Sequence, residues 1–446
     1  MSGSTFFSHA LSLAALYGPG PWPDEGNPLP DEPEHDDGLT FGPGALDGIL
    51  SHHLARNRLD GASGLADLLA EAARGELVPA IVPGLERCLE DVNVAEMSDE
   101  LSGLLEQRAI SDTRVRELAR LLVEGGTLRE SVKIGLLLLS LSGDERDREL
   151  LLLMGALEEL TLFAVGALWR TQPDPHRAVF DLARRVRGWG RVQAVERLAD
   201  SRDPEIKSWL LRDGFRNDVM DEYLALTAAV TGGLRDALSA AVVDDDLLDG
   251  AGGILTALVA EYGPGDGIEY YLDAVPVLWR YAELVDAREP CLRTIRPLVA
   301  ILSFLDNPID GLPWRFDVPA LRDRYAELLG RPEITQTVLA HLADPARADF
   351  LDALWPANVL GLRPRDQIVA YLEQSPVSFF AWSHLCKYVD PCDAHWLADL
   401  AQRLLPPEQP PDTGVRRQLN ADLAWRSVRD RLRELSSSST ADPATS

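Results

Sequence analysis

The chain has 446 residues, with 43 lysines and arginines against 71 aspartates and glutamates, so its formal net charge at pH 7 is −28. Hydrophobic residues make up 46% and charged residues 26%, which is typical of folded soluble proteins. Binding to nucleic acid or to an anionic membrane depends on cationic side chains. We therefore expect neither as a partner.

The first 43 residues are predicted to form a short helix and then an irregular acidic segment. Residues 6–17 have the composition of a short docking helix. Six prolines follow between Pro19 and Pro33, and this density prevents a packed element. Residues 1–55 contain eight acids and no lysine or arginine, so we expect no secretory signal.

The apolar runs and the cysteines favour a cytoplasmic protein of bacterial type. The longest runs, residues 134–139 and 150–157, are much shorter than the ~20 residues of a membrane span. Four cysteines in a chain of this length do not form a disulfide framework, so we expect reduced thiols.

Residues 44–435 are predicted to form one α-helical domain. Apolar residues recur at the spacing i, i+3, i+4, i+7 of a helix face. Three such sets are Leu65, Leu68, Leu69 and Ala72; Val115, Leu118, Ala119 and Leu122; and Leu397, Leu400, Ala401 and Leu404. Runs of alternating β-branched residues are absent from the sequence, so the fold class is all-α, with more than about 60% helix. Residues 436–446, rich in serine, are predicted to be a disordered tail.

Residues 177–211 contain the most diagnostic pattern. Two apolar faces are separated by Gly188-Trp189-Gly190, which predicts a turn. Asp203 then supplies a helix N-cap and Pro204 the first helical residue, so that a new helix begins there. Residues 342–345 are a partial second copy of this restart.

This stretch resembles HEAT-type helical repeats, whose units often restart with an Asp-Pro run. The resemblance implies a right-handed α-solenoid of stacked helix pairs, HEAT- or armadillo-like. An irregular helical bundle is the alternative. A second resemblance covers residues 188–198 and 231–238, which are similar to bacterial proteins sometimes labelled limonene hydroxylase. That label implies oxygen chemistry, yet the sequence shows no dinucleotide fingerprint, iron pair or haem-thiolate segment. We expect no cofactor.

Four potential zinc ligands lie within twelve residues: His384, Cys386, Cys392 and His395. Thiolates and imidazoles are the ligands that zinc prefers. The two cysteines are six residues apart, which is wider than the usual spacing, and His384 and Cys386 point to different sides of a helix. We therefore predict an ordinary helix–turn–helix without a metal, with zinc as the alternative.

Asp245, Asp246 and Asp249 form an Asp-Asp-x-x-Asp string in a helical chain. Terpene synthases and prenyltransferases use such a string to hold Mg²⁺ and diphosphate, because hard carboxylates suit a hard cation. Those families also need a second metal motif, which this sequence lacks. We therefore predict capping and electrostatic roles, with Asp246 capping a helix that begins at Leu247.

The remaining aromatic and histidine residues are interpreted as structural. Four of the ten tryptophans lie in the middle of the chain: Trp189, Trp209, Trp279 and Trp314. We expect them to pack in the core or between repeats rather than to stack on a ligand. His35 is expected to be solvated, and His52 and His53 to lie on a helix surface.

These observations favour a non-enzymatic scaffold that binds another macromolecule. The partner they favour is a protein with a basic surface. The alternative is an enzyme, either a metal-dependent isoprenoid enzyme or a terpene-modifying oxygenase. A relative in architecture of alkylpurine DNA glycosylases is a third hypothesis, which the negative charge disfavours. The arginine-rich residues 416–434 are expected to lie outside the acidic contact surface, or to dock on the acidic amino-terminal segment.

Overall fold

The computed structural model describes residues 4–23, 27–32, 61–89, 92–261, 263–407 and 416–439, and the side chains of the last helix from 420 to 436. Helix accounts for 71% of the structure, and no described residue lies in a strand. The all-α prediction is confirmed. The chain divides into two compact units, Met1–Ala237 with Gly263–Gly267, and Leu238–Tyr262 with Ile268–Ser446.

The described α-helices of the first unit are α1 (Phe6–Tyr17), α2 (Ala62–Arg74), α3 (Val82–Glu86), α4 (Val94–Gln107), α5 (Asp112–Gly125), α6 (Arg129–Ser142), α7 (Arg148–Gly155), α8 (Thr161–Thr171), α9 (Pro175–Ala183), α10 (Gly188–Glu196), α11 (Pro204–Trp209) and α12 (Ala225–Gly232). Short 3₁₀ helices lie at Pro79–Ile81, Glu145–Asp147, Glu158–Leu160 and Asp221–Tyr223. A π-helix at Leu210–Gly214 directly follows α11. Helix α13 (Leu234–Ser239) crosses from the first unit into the second.

The described α-helices of the second unit are α14 (Asp245–Leu258), α15 (Ala274–Asp286), α16 (Leu292–Asp306), α17 (Val318–Leu329), α18 (Pro332–Leu342), α19 (Leu354–Val359), α20 (Arg365–Gln374), α21 (Phe379–Lys387), α22 (Ala394–Leu404) and α23 (Arg416–Ser439). Its 3₁₀ helices lie at Ile268–Tyr270, Leu351–Ala353 and Pro391–Asp393. Helices α14, α17 and α19 pack against α16, and α21 and α22 pack against α23.

Helix α6 forms the centre of the first unit. Residues 131–140 are all buried, and a helix that is covered on every side belongs in a core. Helices α5 and α8 pack on it, and α9 and α10 follow against α8 in chain order. Lys133, although buried, is neutralised by Glu130 at 3.0 Å.

The residues of the predicted amino-terminal docking helix form α1. Phe6, Ala10 and Leu13 are buried where α1 packs on α5 and α7, and the Phe6 amide donates to the Gly126 carbonyl at 3.0 Å. Residues 18–23 and 27–32 contain neither helix nor strand, as predicted. The remainder of the predicted irregular segment, up to residue 43, includes 24–26 and 33–43, which lie outside the described residues.

Two predicted boundaries differ from the structure. Gly188-Trp189-Gly190 is not a turn but the first turn of α10. Gly188 has φ +43° and approaches the carboxylate of Glu158 so closely that a Cβ would lie 2.6 Å from it, which explains a glycine at the helix start. At the carboxyl end, α23 continues to Ser439 beyond the predicted start of the tail at residue 436, and the Ser436 hydroxyl donates to the carbonyl of Arg433 at 2.8 Å. Residues 440–446 lie outside the described part.

All four cysteines fall within the described residues, and the structure has them as free thiols. Among the helices that the structure describes, none combines the length and the apolar composition that crossing a membrane requires.

Candidate functional site

A pocket of about 430 Å³ opens in the first unit, within the stretch that carries the Asp-Pro helix restart. Six residues line it, and we call it the arginine–aromatic pocket: Phe180, Arg184, Arg191, Glu205, Trp209 and Asp213. They come from α9 and its carboxyl end, α10, α11 and the π-helix. Four elements that are consecutive in the chain thus build one site.

The sequence explains how α11 and the π-helix place the pocket wall. The Asp203 carboxylate accepts a hydrogen bond from the Glu205 amide at 2.8 Å, and Pro204 is the first helical residue. The predicted start of a new helix at this point is confirmed. After Trp209 the backbone widens into a π-helix, an element that occurs frequently at functional sites. A Cβ on Gly214 would lie 2.6 Å from the Trp209 ring, so only glycine allows this approach.

Arg191 is the most enclosed charged group of the pocket. Its side chain is 10% exposed. Nε donates to the Val186 carbonyl at 3.0 Å, and Nη1 donates to Asp213 Oδ2 at 3.2 Å and to the Arg216 carbonyl at 3.3 Å. Its guanidinium also lies 5.5 Å from the centroid of the Trp209 ring. The π-helix therefore supplies a counter-ion, Asp213, and Trp209 at the end of α11 supplies an aromatic face to a nearly buried cation.

Phe180 and Trp209 form the aromatic wall. Their ring centroids are 5.2 Å apart with an interplanar angle of 75°, an edge-to-face arrangement. The guanidinium carbons of Arg177 and Arg184 lie 5.2 and 5.5 Å from the Phe180 centroid. Arginines thus surround the buried phenyl ring.

The carboxylates of the pocket already have cationic partners. Arg177 Nη1 donates to Glu205 Oε2 at 2.6 Å, and this hydrogen bond raises the pKa of Arg177. Asp213 is bound to Arg191. By contrast, Arg184 is 53% exposed and its Nη1 lies 3.9 Å from Glu205 Oε1, which is too far for a hydrogen bond. Arg184 is therefore the least engaged cation of the wall.

A second pocket, of about 240 Å³, lies in the second unit beside the predicted aspartate string. Asp245 and Asp249, one turn apart on α14, line it together with Cys291, Arg288 and Arg293. Arg288 Nε lies 3.4 Å from Asp245 Oδ1. The two aspartates therefore share the pocket wall with arginines, which can form ion pairs with their carboxylates.

The third aspartate of the string and the predicted cap need a correction. Asp246 is exposed and is not part of the pocket wall. Helix α14 begins at Asp245 rather than at Leu247, and its N-cap is Asp244, which accepts the Leu247 amide at 2.7 Å. Three consecutive aspartates precede Leu247, and the first of them has the extended backbone that an N-cap requires.

The cysteine–histidine segment forms α21, a 3₁₀ turn and α22. Cys386 is buried, which raises the pKa of its thiol to about 12, and burial lowers the pKa of His384 to about 4. Cys392 and His395 are exposed. Throughout the described residues, no group of three histidine, cysteine or acidic side chains is placed to hold a metal ion.

The tryptophans occupy two kinds of environment. Trp189 is buried and lies 5.1 Å from the ring of Tyr223, and Trp314 lies 6.0 Å from Phe304. Trp209 instead lines the arginine–aromatic pocket. His35, His52 and His53 lie outside the described residues.

Sequence reasoning did not single out Arg191 or Asp213. A usable signal was the charge of Arg191 between the apolar residues Trp189 and Val192, since a buried charge needs a partner elsewhere in the fold. Comparisons of the chain with protein-family models, curated proteins and solved structures find no match. The resemblances to HEAT-type repeats and to proteins labelled limonene hydroxylase stay predictions.

Proposed function

We propose that the protein is a non-enzymatic helical-repeat scaffold that binds a protein with a basic surface. The surplus of carboxylates carries this proposal, since the formal charge is −28. Surface arginines are largely engaged by carboxylates of the same chain, as in Arg108–Asp67 at 2.8 Å and Arg324–Asp286 at 2.7 Å. The uncompensated acids create a negative field that attracts cationic partners and raises the rate of encounter.

The order of helix packing supports a HEAT-like solenoid. In such arrays each helix pair contacts mainly its neighbours in the chain. In the first unit, α5 packs on α6 and α8 to α10 pack successively, and in the second unit α16 packs on α17 and α18 on α19. The same proposal places the protein in the cytoplasm, without a cofactor and without nucleic acid as a partner.

Affinity capture with the full chain, repeated from low to high salt, tests the proposed partner class. We expect the captured proteins to be basic and to be lost as salt rises, because exposed charges are screened beyond about 8 Å at physiological ionic strength. Acidic partners that persist at high salt contradict the proposal. Recovery of small molecules alone contradicts it as well.

The pocket at Asp245 and Asp249 favours one alternative, a metal-dependent isoprenoid enzyme, because Arg288 and Arg293 lie beside the carboxylates and suit a diphosphate. Incubation with Mg²⁺ and prenyl diphosphates tests it. We expect no release of diphosphate above background. Turnover that Asp245→Ala abolishes and Asp246→Ala preserves would establish the enzyme instead. No observation in the described residues favours a terpene-modifying oxygenase.

A further inference from the structure

We propose that the arginine–aromatic pocket binds a small organic oxyanion, a carboxylate or a phosphate monoester with a flat aromatic body. The inference is independent of the scaffold function. The volume of the pocket, about 430 Å³, is within the range of small-molecule sites.

Arg191 has a donor that no described residue engages. The side chain is 10% exposed, and its Nε and Nη1 groups have three acceptors. Its Nη2 has no acceptor among the residues that the structure describes. This guanidinium lines the pocket, so the N–H groups of Nη2 are available to a ligand there. A ligand oxygen in the pocket accepts a hydrogen bond from them.

Arg184 also has free capacity to donate hydrogen bonds. Its side chain is half exposed, and no carboxylate of the described residues lies within hydrogen-bond distance of it, because the nearest one, Glu205, is bound to Arg177. The guanidinium groups of Arg184 and Arg191 therefore both have N–H donors that can bind a ligand in the pocket. Such groups bind carboxylate and phosphate in a bidentate manner.

The charges of the pocket wall favour an anionic group placed beside the arginines. Glu205 and Asp213 also line the pocket and repel an anion, but each already accepts a hydrogen bond from an arginine. An oxyanion placed between Arg184 and Arg191 would accept hydrogen bonds from their guanidinium groups. Phe180 and Trp209 complete the wall, so the body of the ligand contacts aromatic carbon.

Isothermal titration of the full chain with 1-naphthyl phosphate, 1-naphthoate and inorganic phosphate tests the proposal. We expect one of the two aromatic anions to bind at one site per chain, at least about tenfold more tightly than inorganic phosphate. The tighter of the two aromatic anions identifies which oxyanion the pocket takes. Failure of both to bind, or binding no tighter than that of inorganic phosphate, overturns the proposal.

Two variants separate this site from general charge attraction. Arg184→Ala removes an exposed side chain and should weaken binding about tenfold without affecting the fold. Arg202→Ala is the matched control, because Arg202 is an exposed arginine nearby that does not line the pocket. An equal loss of affinity in both variants contradicts the pocket. Capture of basic proteins should be unchanged by Arg184→Ala, so that failure of either function is distinguishable.

Discussion

At the scale of single residues, the aspartates at the start of α14 show that a sequence pattern can indicate a helix start without identifying its N-cap. The string predicted a cap at Asp246, whereas Asp244 makes the hydrogen bond to the Leu247 amide. Adjacent aspartates have the same chemistry, and only the backbone angles decide which one caps. A sequence therefore predicts that a helix begins here more reliably than it predicts the capping residue.

Replacing each of these two aspartates measures the difference. Asp244→Ala should lower the free energy of unfolding by about 1 kcal/mol, because one amide of the first turn loses its acceptor. Asp246→Ala, which removes an exposed carboxylate of the first turn, should change it by a few tenths of a kcal/mol. Urea unfolding followed by circular dichroism compares them. Equal losses would mean that Asp244 is not the cap.

His384 makes stability depend on pH. Burial lowers its pKa to about 4 in the folded protein, whereas an unfolded histidine titrates near 6.5. Between these values the unfolded state binds a proton that the folded state does not, so the contribution to stability falls as the pH decreases from about 6.5 to 4.

Denaturant unfolding between pH 7 and pH 4 tests this linkage. We expect the decline in unfolding free energy to be shallower for His384→Gln than for the unchanged protein. His395→Gln is the control, since His395 is exposed on the neighbouring helix. If the His384 variant shows the same slope as the unchanged protein, the buried histidine does not contribute.

At the scale of elements, apolar periodicity and caps were sufficient to predict the restart at Asp203 and the all-helical class. The π-helix at Leu210–Gly214 was not predictable in this way, because five residues are too few to establish an apolar period of their own. The arginine–aromatic pocket depends on that turn. Its geometry therefore required tertiary information, although the residues that line it lie within 34 positions of one another.

The π-helix gives an element-scale prediction. Gly214→Ala places a Cβ 2.6 Å from the Trp209 ring and should destabilise the protein by about 1–3 kcal/mol, as overpacking does. Gly166→Ala is the matched control in α8, where a Cβ meets nothing within 4 Å and should stabilise by about 0.5–1 kcal/mol. Differential scanning calorimetry measures both. A stabilised Gly214→Ala variant would contradict the packing of Trp209 on this turn.

At the scale of the whole molecule, the composition contains an excess of acids. The helical periodicity predicted a chain of short packed helices. Composition does not predict how arginines are distributed, and the structure shows that many are held by carboxylates of the same chain, as Arg116 is by Asp144 and Asp147. The arginine-rich helix α23 packs through Ala421, Ala424 and Val428 and keeps Arg426 and Arg433 exposed. Its predicted docking on the acidic amino-terminal segment involves residues outside the described part.

The dissociation constant of a purified basic partner, measured by biolayer interferometry over a salt series, tests the scaffold function most directly. We expect the affinity to fall steadily as salt rises. The double variant Arg426→Ala/Arg433→Ala should bind at least as tightly as the unchanged protein, because the proposed scaffold binds its partner through an acidic surface that does not include α23. An affinity that does not change with salt, or that is lost in the double variant, would contradict the scaffold function.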